Sequence, residues 1–254
     1  MTSYDNLANR TAVVTGAASG MGEEIARLLG ASGARVALMS RRRSRLDSLA
    51  EKITADGGQA LVVPVDVSSA DAVDEAAALV HSAFGSVDLV VNSAGVMLSN
   101  PIVSGRADEW ERMIDTNLTG ALRIIRAFVP DLVSVAAAGG VADLVNISSI
   151  GAHLTFPRFG VYSATKAALT HLSASLRTEL SPLDVRVTNI EPGLVATELA
   201  GHLDDPESSA LVEQMFSAFG TLSSVEIADL VGYVTSRARH VNLRQVVVLP
   251  TRQA

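Results

Sequence analysis

Short runs rich in β-branched residues recur along the chain at 11–14, 36–39, 61–65, 89–91, 144–147, 185–190 and 246–249, and helical patterns fill most of the gaps between them. The runs are apolar at consecutive positions rather than alternate ones, as strands are when helices cover both faces of their sheet. The alternation predicts an α/β fold: a doubly wound, about seven-stranded parallel sheet with helices on both faces. No solenoid-length repeat, low-complexity block or Pro/Gly/Ser-rich linker divides the sequence, so residues 1–254 are expected to form a single domain. One stretch breaks the pattern. Between about 194 and 222, Gly201, Asp204, Asp205 and Pro206 interrupt it after the sixth strand. Its length, and its place after a strand's carboxyl end, point to a substrate lid rather than a plain surface connection.

Composition removes whole classes of function. With 254 residues, 48% hydrophobic and 19% charged, the chain has ample material for a buried core and too little polarity for disorder. A formal charge of -7 argues against an electrostatic grip on nucleic acid or anionic lipid. The absence of cysteine excludes disulfides, thiolate nucleophiles and thiolate-bound metals, and suits a reducing cytoplasm, where the protein is expected. The polar first ten residues lack the order of a secretory signal. The greasiest stretch, 128–145, is broken by Pro130, Asp131, Gly139, Gly140 and Asp143, so no membrane span is expected. His81, His153, His171, His202 and His240 show no metal-ligand spacing, and no metal is expected. Small molecules remain as partners.

The first apolar run leads into Thr15-Gly16-Ala17-Ala18-Ser19-Gly20-Met21-Gly22, and a helical pattern opens immediately afterwards. Glycines permit positive φ and close backbone approach, while the free amides and dipole at a helix start attract a diphosphate. A glycine-spaced loop alone is a weak signal that also fits an ordinary tight turn. The strand-to-helix context favours a dinucleotide site of the Rossmann type, with Gly16, Ser19, Gly20, Met21 and Gly22 as candidate contacts. The second run ends Met39-Ser40-Arg41-Arg42-Arg43, with no carboxylate at its tip to meet a ribose 2′-hydroxyl. Guanidinium groups stay charged and bind phosphate through two donors, so Arg41 and Arg42 favour NADP(H) over NAD(H). The other reading is a solvated basic helix start, but three arginines there oppose the helix dipole.

Further along, Tyr162-Ser163-Ala164-Thr165-Lys166 opens a helical pattern, and spacing of four puts the phenol and the ammonium on one face. A neighbouring ammonium is expected to lower a tyrosine pKa from about 10 and ready it for proton exchange. Judged alone, an exposed pair on a helix surface is the simpler reading.

The glycine loop and Tyr162-x-x-x-Lys166 occur together at the separation usual in the short-chain dehydrogenase/reductase family, which the sequence resembles over nearly its whole length. The resemblance extends to further residues. Asn92-Ser93-Ala94-Gly95 is similar to the family's Asn-Asn-Ala-Gly beside the cofactor, with Ser93 a departure. Asp66, followed by Val67, resembles the aspartate near the adenine ring, and the Ser40-Arg41 pair resembles that of NADP(H)-preferring members. Pro192, Gly193, Val195 and Thr197 fall in a segment similar to the one that contacts the nicotinamide, where Glu191 replaces a commoner asparagine.

The resemblance implies a catalytic set of Asn117, Ser149, Tyr162 and Lys166. Ser149 would steady the substrate oxygen, although neighbouring Ser148 is a possible confusion, and Asn117 would hold a water of the proton relay. Read singly, Asn117 and Ser149 are helix-start and strand-end polar residues. The implied activity is NADP(H)-dependent interconversion of a ketone or aldehyde with an alcohol. Alternatives are enoyl reduction or epimerisation on the same fold, or a catalytically silent NADP(H) sensor. The segments Glu191-Pro192-Gly193 and Leu249-Pro250-Thr251-Arg252-Gln253 resemble a subgroup acting on hydroxy acids, polar alcohols and antibiotic-pathway aldehydes. Helices around 117–135 and 162–180 resemble those that pair in family dimers and tetramers, so a homodimer or homotetramer is expected.

Overall fold

The computed structural model describes residues 4–253, apart from the side chains of Ala200 and His202. The two ends of the 1–254 domain expectation, the first three residues of the polar amino terminus and the reading of His202 therefore lie outside the described residues.

Each apolar run is a strand, within a residue or two of its expected bounds. In chain order they are β1 (Thr11–Thr15), β2 (Arg35–Ser40), β3 (Gln59–Pro64), β4 (Leu89–Asn92), β5 (Ala142–Ile147) and β6 (Val185–Pro192). Two very short strands follow, β7 (Val195–Ala196) and β8 (Leu222–Ser223), and then β9 (Gln245–Val248). Seven of them form one parallel sheet in the order β3-β2-β1-β4-β5-β6-β9. The winding reverses between β1 and β4, and ligands of open α/β sheets bind in the crevice at such a reversal, outside the strands' carboxyl ends.

Two apolar clusters explain why the strands are greasy on both faces. Within β1, Val14 points into one cluster and Val13 into the other. The first is covered by α1 (Gly20–Ala31), α2 (Arg43–Ala55) and α8 (Ser224–Thr235), which contribute Leu28, Leu46, Ile53 and Val231 among others. The second is covered chiefly by α3 (Ala70–Phe84) and α5 (Gly120–Ala137), with Val80, Ile124, Phe128 and Leu132. A helix entering from α4 (Ala107–Ile114) reaches α5 through a π-helical turn, Asp115–Thr119, a widening of the kind that gathers at functional sites. The longest helix, α6 (Gly160–Leu180), follows β5.

The amino ends of the strands are tied by a buried charge network with no short-range sequence signature. Asp143 of β5 accepts from Arg186 Nε at 2.7 Å and Nη2 at 2.8 Å, and from Arg10 Nη2 at 3.0 Å. Arg10 also pairs with Asp88, and Arg186 reaches the Thr235 carbonyl at 2.8 Å. Nearly every donor is used, as a buried ion cluster requires.

The expectation for 194–222 needs correction. That stretch holds a 14-residue helix, α7 (Pro206–Phe219), bracketed by β7 and β8, which pair in parallel. The residues that looked like breakers are its start: Asp205 caps the helix by accepting from the Ser208 amide at 2.7 Å, and Pro206 occupies the first turn. Among the described residues, no helix is long and apolar enough to cross a membrane.

Candidate active site

At the carboxyl ends of the strands, the glycine loop and the end of β4 are built against each other. Thr15 Oγ1 accepts from the amides of Ser93 and Ala94, both at 3.0 Å. Gly16 has φ +70, and a Cβ there would lie 2.9 Å from the Ala94 nitrogen. A Cβ on Gly22 would lie 2.4 Å from the Gly16 carbonyl oxygen, so the first turn of α1 can pack on the loop only without a side chain. Ser19 is the N-cap of α1 but makes no side-chain capping bond, and its hydroxyl instead accepts from Arg42 Nη2 at 2.6 Å. The leading amides of α1 are thus left free of a side-chain cap, and a diphosphate fits these donors.

The groove in front of this loop is lined by Gly16, Ser19, Gly20, Met21 and Gly22, by Ser40, Arg41 and Arg42 after β2, and by Asp66, Val67, Ala94, Gly95, Tyr162, Lys166 and Thr197. It brings together most of the expected cofactor residues. Burial alone would raise the Asp66 carboxyl, but the Ser68 amide and hydroxyl, with Arg41 and Arg112, hold it below the usual range. Arg41 Nη1 stands 3.9 Å from Asp66, while Arg42 also pairs with Glu198 at 2.9 Å.

Three expected residues lie beside the groove in a second, mostly apolar chamber: Pro192, Gly193 and Val195. This chamber shares Met21, Ser148, Tyr162, Thr197 and Leu199 with the groove. Its walls include Met97, Phe156 and Phe159, and Val212, Met215 and Phe216 from α7. None of these six was marked by sequence reasoning. The three from α7 follow helical spacing, a signal hidden once the stretch was read as irregular. Gln253 also closes the chamber: its Oε1 accepts from the Leu194 amide at 2.8 Å and would stand 2.2 Å from a Cβ at Gly193.

Ser148 and Ser149 are separated by their partners. Ser148 is buried and spent on the helix behind it, donating to the Lys166 carbonyl at 3.0 Å and contacting Thr170 Oγ1 at 2.8 Å. Ser149 is partly exposed, accepts from the Gly151 amide at 3.0 Å, and lines the chamber beside Tyr162. Asn117, on the π-helical turn, sits behind the groove. Its Oδ1 accepts from the Val96 amide at 2.8 Å, and its Nδ2 donates to the Val96 carbonyl at 2.9 Å and Thr165 Oγ1 at 3.1 Å. The side chain ties Val96 to Thr165 of α6. Asn92 is likewise turned into the sheet, donating to Asn146 at 2.9 Å, and does not line the groove.

The expected effect of Lys166 on Tyr162 needs correction. Burial pushes the phenol above its ordinary value, and the Ser149 hydroxyl pulls it back only in part. Lys166 Nζ donates to the Ile147 carbonyl at 3.0 Å and stands 5.9 Å from the centre of the Tyr162 ring. Burial pulls the ammonium itself down to about 8. Loss of water therefore pushes both groups toward neutrality, and the spacing of four on a helix fixed their shared face but not their exposure.

Glu191, at the end of β6, is fully buried. It accepts from Asn189 Nδ2 at 2.7 Å, Thr170 Oγ1 at 2.9 Å and Gln245 Nε2 at 3.0 Å, and pairs with His153 Nε2 at 2.9 Å. His153 is thereby occupied and does not line the chamber. Among the described residues, no group of three or more His, Asp or Glu side chains could hold a metal ion.

Residues 10–208 match a family model described as short chain dehydrogenase. An uncharacterized oxidoreductase of Staphylococcus aureus (strain USA300) is 36% identical over 244 residues, which is 96% of this chain and 98% of that one. Among solved structures, a 3-ketoacyl-(acyl-carrier-protein) reductase from Brucella melitensis complexed with NADH superposes with TM-score 0.87 at 26% identity, covering 98% of this chain and 100% of the other. A metagenomic short-chain oxidoreductase in complex with NADP gives 0.81 at 32% identity, with coverages of 97% and 99%.

Proposed function

Because the chain belongs to the short-chain dehydrogenase/reductase family, and is thus an NAD(P)-dependent oxidoreductase, we propose that it interconverts a small ketone or aldehyde with the corresponding alcohol, using NADP(H) and Tyr162 as the acid/base. The observation that carries this reading is the position of Tyr162, a wall of both the dinucleotide groove and the apolar chamber. A carbonyl in the chamber would lie within reach of the phenol.

The dinucleotide, when bound, supplies the hydride. The chain's own residues do the rest. Tyr162 donates a proton to the carbonyl oxygen during reduction and takes it back during oxidation. Ser149, which lines the chamber beside the phenol, donates to the same oxygen and fixes its position. Lys166 offers a positive charge beside the phenol, where oxyanion character develops. Asn117 is a positioning residue: its amide ties Val96 to Thr165 and sets the turn at which a relay water would be held.

The free amides of α1 would take the diphosphate, Asp66 and Val67 the adenine end, and Thr197 the nicotinamide end. Arg42 with Ser19, and Arg41 beside them, support a preference for NADP(H), because no carboxylate ends β2. Pro192, Gly193 and Val195 would shape the place where ring and substrate meet. Apolar walls with hydroxyls at one end suit a substrate with one polar function and an apolar body. The rest of the reading is a single catalytic unit in the cytoplasm, its chamber covered by 194–222, paired into a homodimer or homotetramer through α5 and α6.

The test is a panel of ketones and aldehydes with NADPH, followed by loss of its absorbance. Tyr162→Phe should cut turnover by roughly 100-fold or more while leaving cofactor affinity within about twofold. Turnover retained in that variant would overturn the assignment.

A further inference from the structure

We infer that Glu198 is a built-in occupant of the 2′-phosphate cradle, a carboxylate that the phosphorylated dinucleotide must displace and that thereby ties cofactor entry to the segment over the substrate chamber. The inference rests on the proposed NADP(H) preference and adds to it a competitor from within the chain.

Three groups that would suit a 2′-phosphate already converge on one anion. Arg42 Nη1 donates to Glu198 Oε2 at 2.9 Å, while its Nη2 donates to Ser19 Oγ at 2.6 Å. Arg45 Nη2 lies 3.8 Å from Glu198 Oε1. The hydrogen bond from Arg42, with the charges of Arg42 and Arg45 and the Ser19 hydroxyl, holds the Glu198 carboxyl below its usual range against the rise from burial. The residues come from three distant parts of the chain, with Arg42 and Glu198 separated by 156 positions. Helix α2 also needs an anion here. It begins with Arg43, carries no acid in its first turn, and presents its positive dipole end to these arginines.

A phosphate dianion and a carboxylate cannot share this cradle, because like charges at contact distance repel strongly. The bond that must yield is weak enough to yield. Both side chains are nearly half exposed, at 45% and 48% for Arg42 and Glu198, and exposed ion pairs contribute little. Displacement would act on the chamber through chain continuity. Thr197 packs 3.3 Å from the Cβ position of Gly20, and Leu199 lines both cavities. Freeing Glu198 therefore releases one anchor of the strand-to-helix connection before α7, whose Val212, Met215 and Phe216 wall the chamber.

Titration calorimetry with adenosine 2′,5′-bisphosphate and adenosine 5′-monophosphate reads the cradle without turnover. In Glu198→Gln the bisphosphate should bind roughly two- to fivefold more tightly, the range expected for removing an exposed ion pair. The monophosphate should change by less than that. In Arg42→Ala/Glu198→Gln no tightening should appear relative to Arg42→Ala. Bisphosphate affinity unchanged or weaker in Glu198→Gln would overturn the proposal, as would an equal gain for the monophosphate. The underlying cofactor reading fails separately, if the unaltered protein binds the two nucleotides equally and Arg42→Ala changes neither. Both substitutions are at exposed side chains, and circular dichroism of each variant checks that the fold is kept.

Discussion

Lys166→Met should make the protein more stable while abolishing its activity. Lys166 is only 6% exposed, and among the described residues no carboxylate lies within ion-pair distance of its Nζ, whose one protein partner is the Ile147 carbonyl. Burial pulls its pKa from 10.5 to about 8. At 1.36 kcal/mol per unit, holding the ammonium in the folded state costs about 3 kcal/mol at neutral pH. The sign follows from proton counts. Below the folded value the amine is charged in both states and the full cost is present. Between the folded and unfolded values the unfolded chain binds more protons, so stability rises with pH and the cost disappears above the unfolded value.

Methionine has similar length and no charge to desolvate, but gives up one hydrogen bond from a charged donor, worth about 1.5 kcal/mol. The variant should therefore exceed the parent by about 1.5 kcal/mol at about pH 7, and the gap should close by about pH 10. Urea denaturation of both proteins at the two pH values measures it, and comparing the pair cancels other titrating groups. Turnover should fall by about 100-fold or more. A methionine variant less stable than the parent at neutral pH, or a gap that does not narrow with pH, would refute the reasoning.

Other consequences are tested more simply. Gly22→Ala would force a Cβ to 2.4 Å from the Gly16 carbonyl oxygen, a backbone atom that cannot swing aside; nicotinamide cofactor titration should show clearly weaker binding, and unchanged affinity would count against the packing argument. Asp143→Asn leaves Arg10 and Arg186 buried without their shared carboxylate and should cost about 3–5 kcal/mol in chemical denaturation. The network lies at the opposite strand ends from the site, so activity per folded molecule should persist. Glu191→Ala removes the acceptor of Asn189, Thr170 and Gln245 and should lower the unfolding free energy by about 1–3 kcal/mol. His153→Ala at the partly exposed end of the same cluster should cost less, and an equal loss would show that the carboxylate depends on the imidazole.

What could be read from the sequence, and what could not, divides by range along the chain. Strands, the glycine turn and the Tyr162–Lys166 face depend on neighbours a few residues apart, and composition records those directly. Asp205 and Pro206 were equally local but ambiguous: the residues that end one element also begin the next, and only the helical spacing of Val212, Met215 and Phe216 distinguishes a cap from a break. Partners brought together by the winding have no local trace. Nothing around Asn117 foretells that its amide clamps Val96 and Thr165, and nothing around Glu198 foretells Arg42.

The same distinction explains the error about Tyr162. Helical spacing establishes that two side chains share a face, and from that a mutual charge effect follows only if both remain solvated or in contact. In the folded protein the winding buries that face between groove and chamber, and desolvation, which spacing does not encode, becomes the larger influence on each. On the proposed reading, polar groups of a bound dinucleotide and a substrate oxygen would face both side chains and counter the effect of burial. Adding cofactor or a nonreactive substrate analogue should therefore shift the titration of both groups back toward their ordinary values, which NMR of labelled tyrosine and lysine side chains would register. Identical titrations with and without ligand would mean that the two residues are not joined through the site.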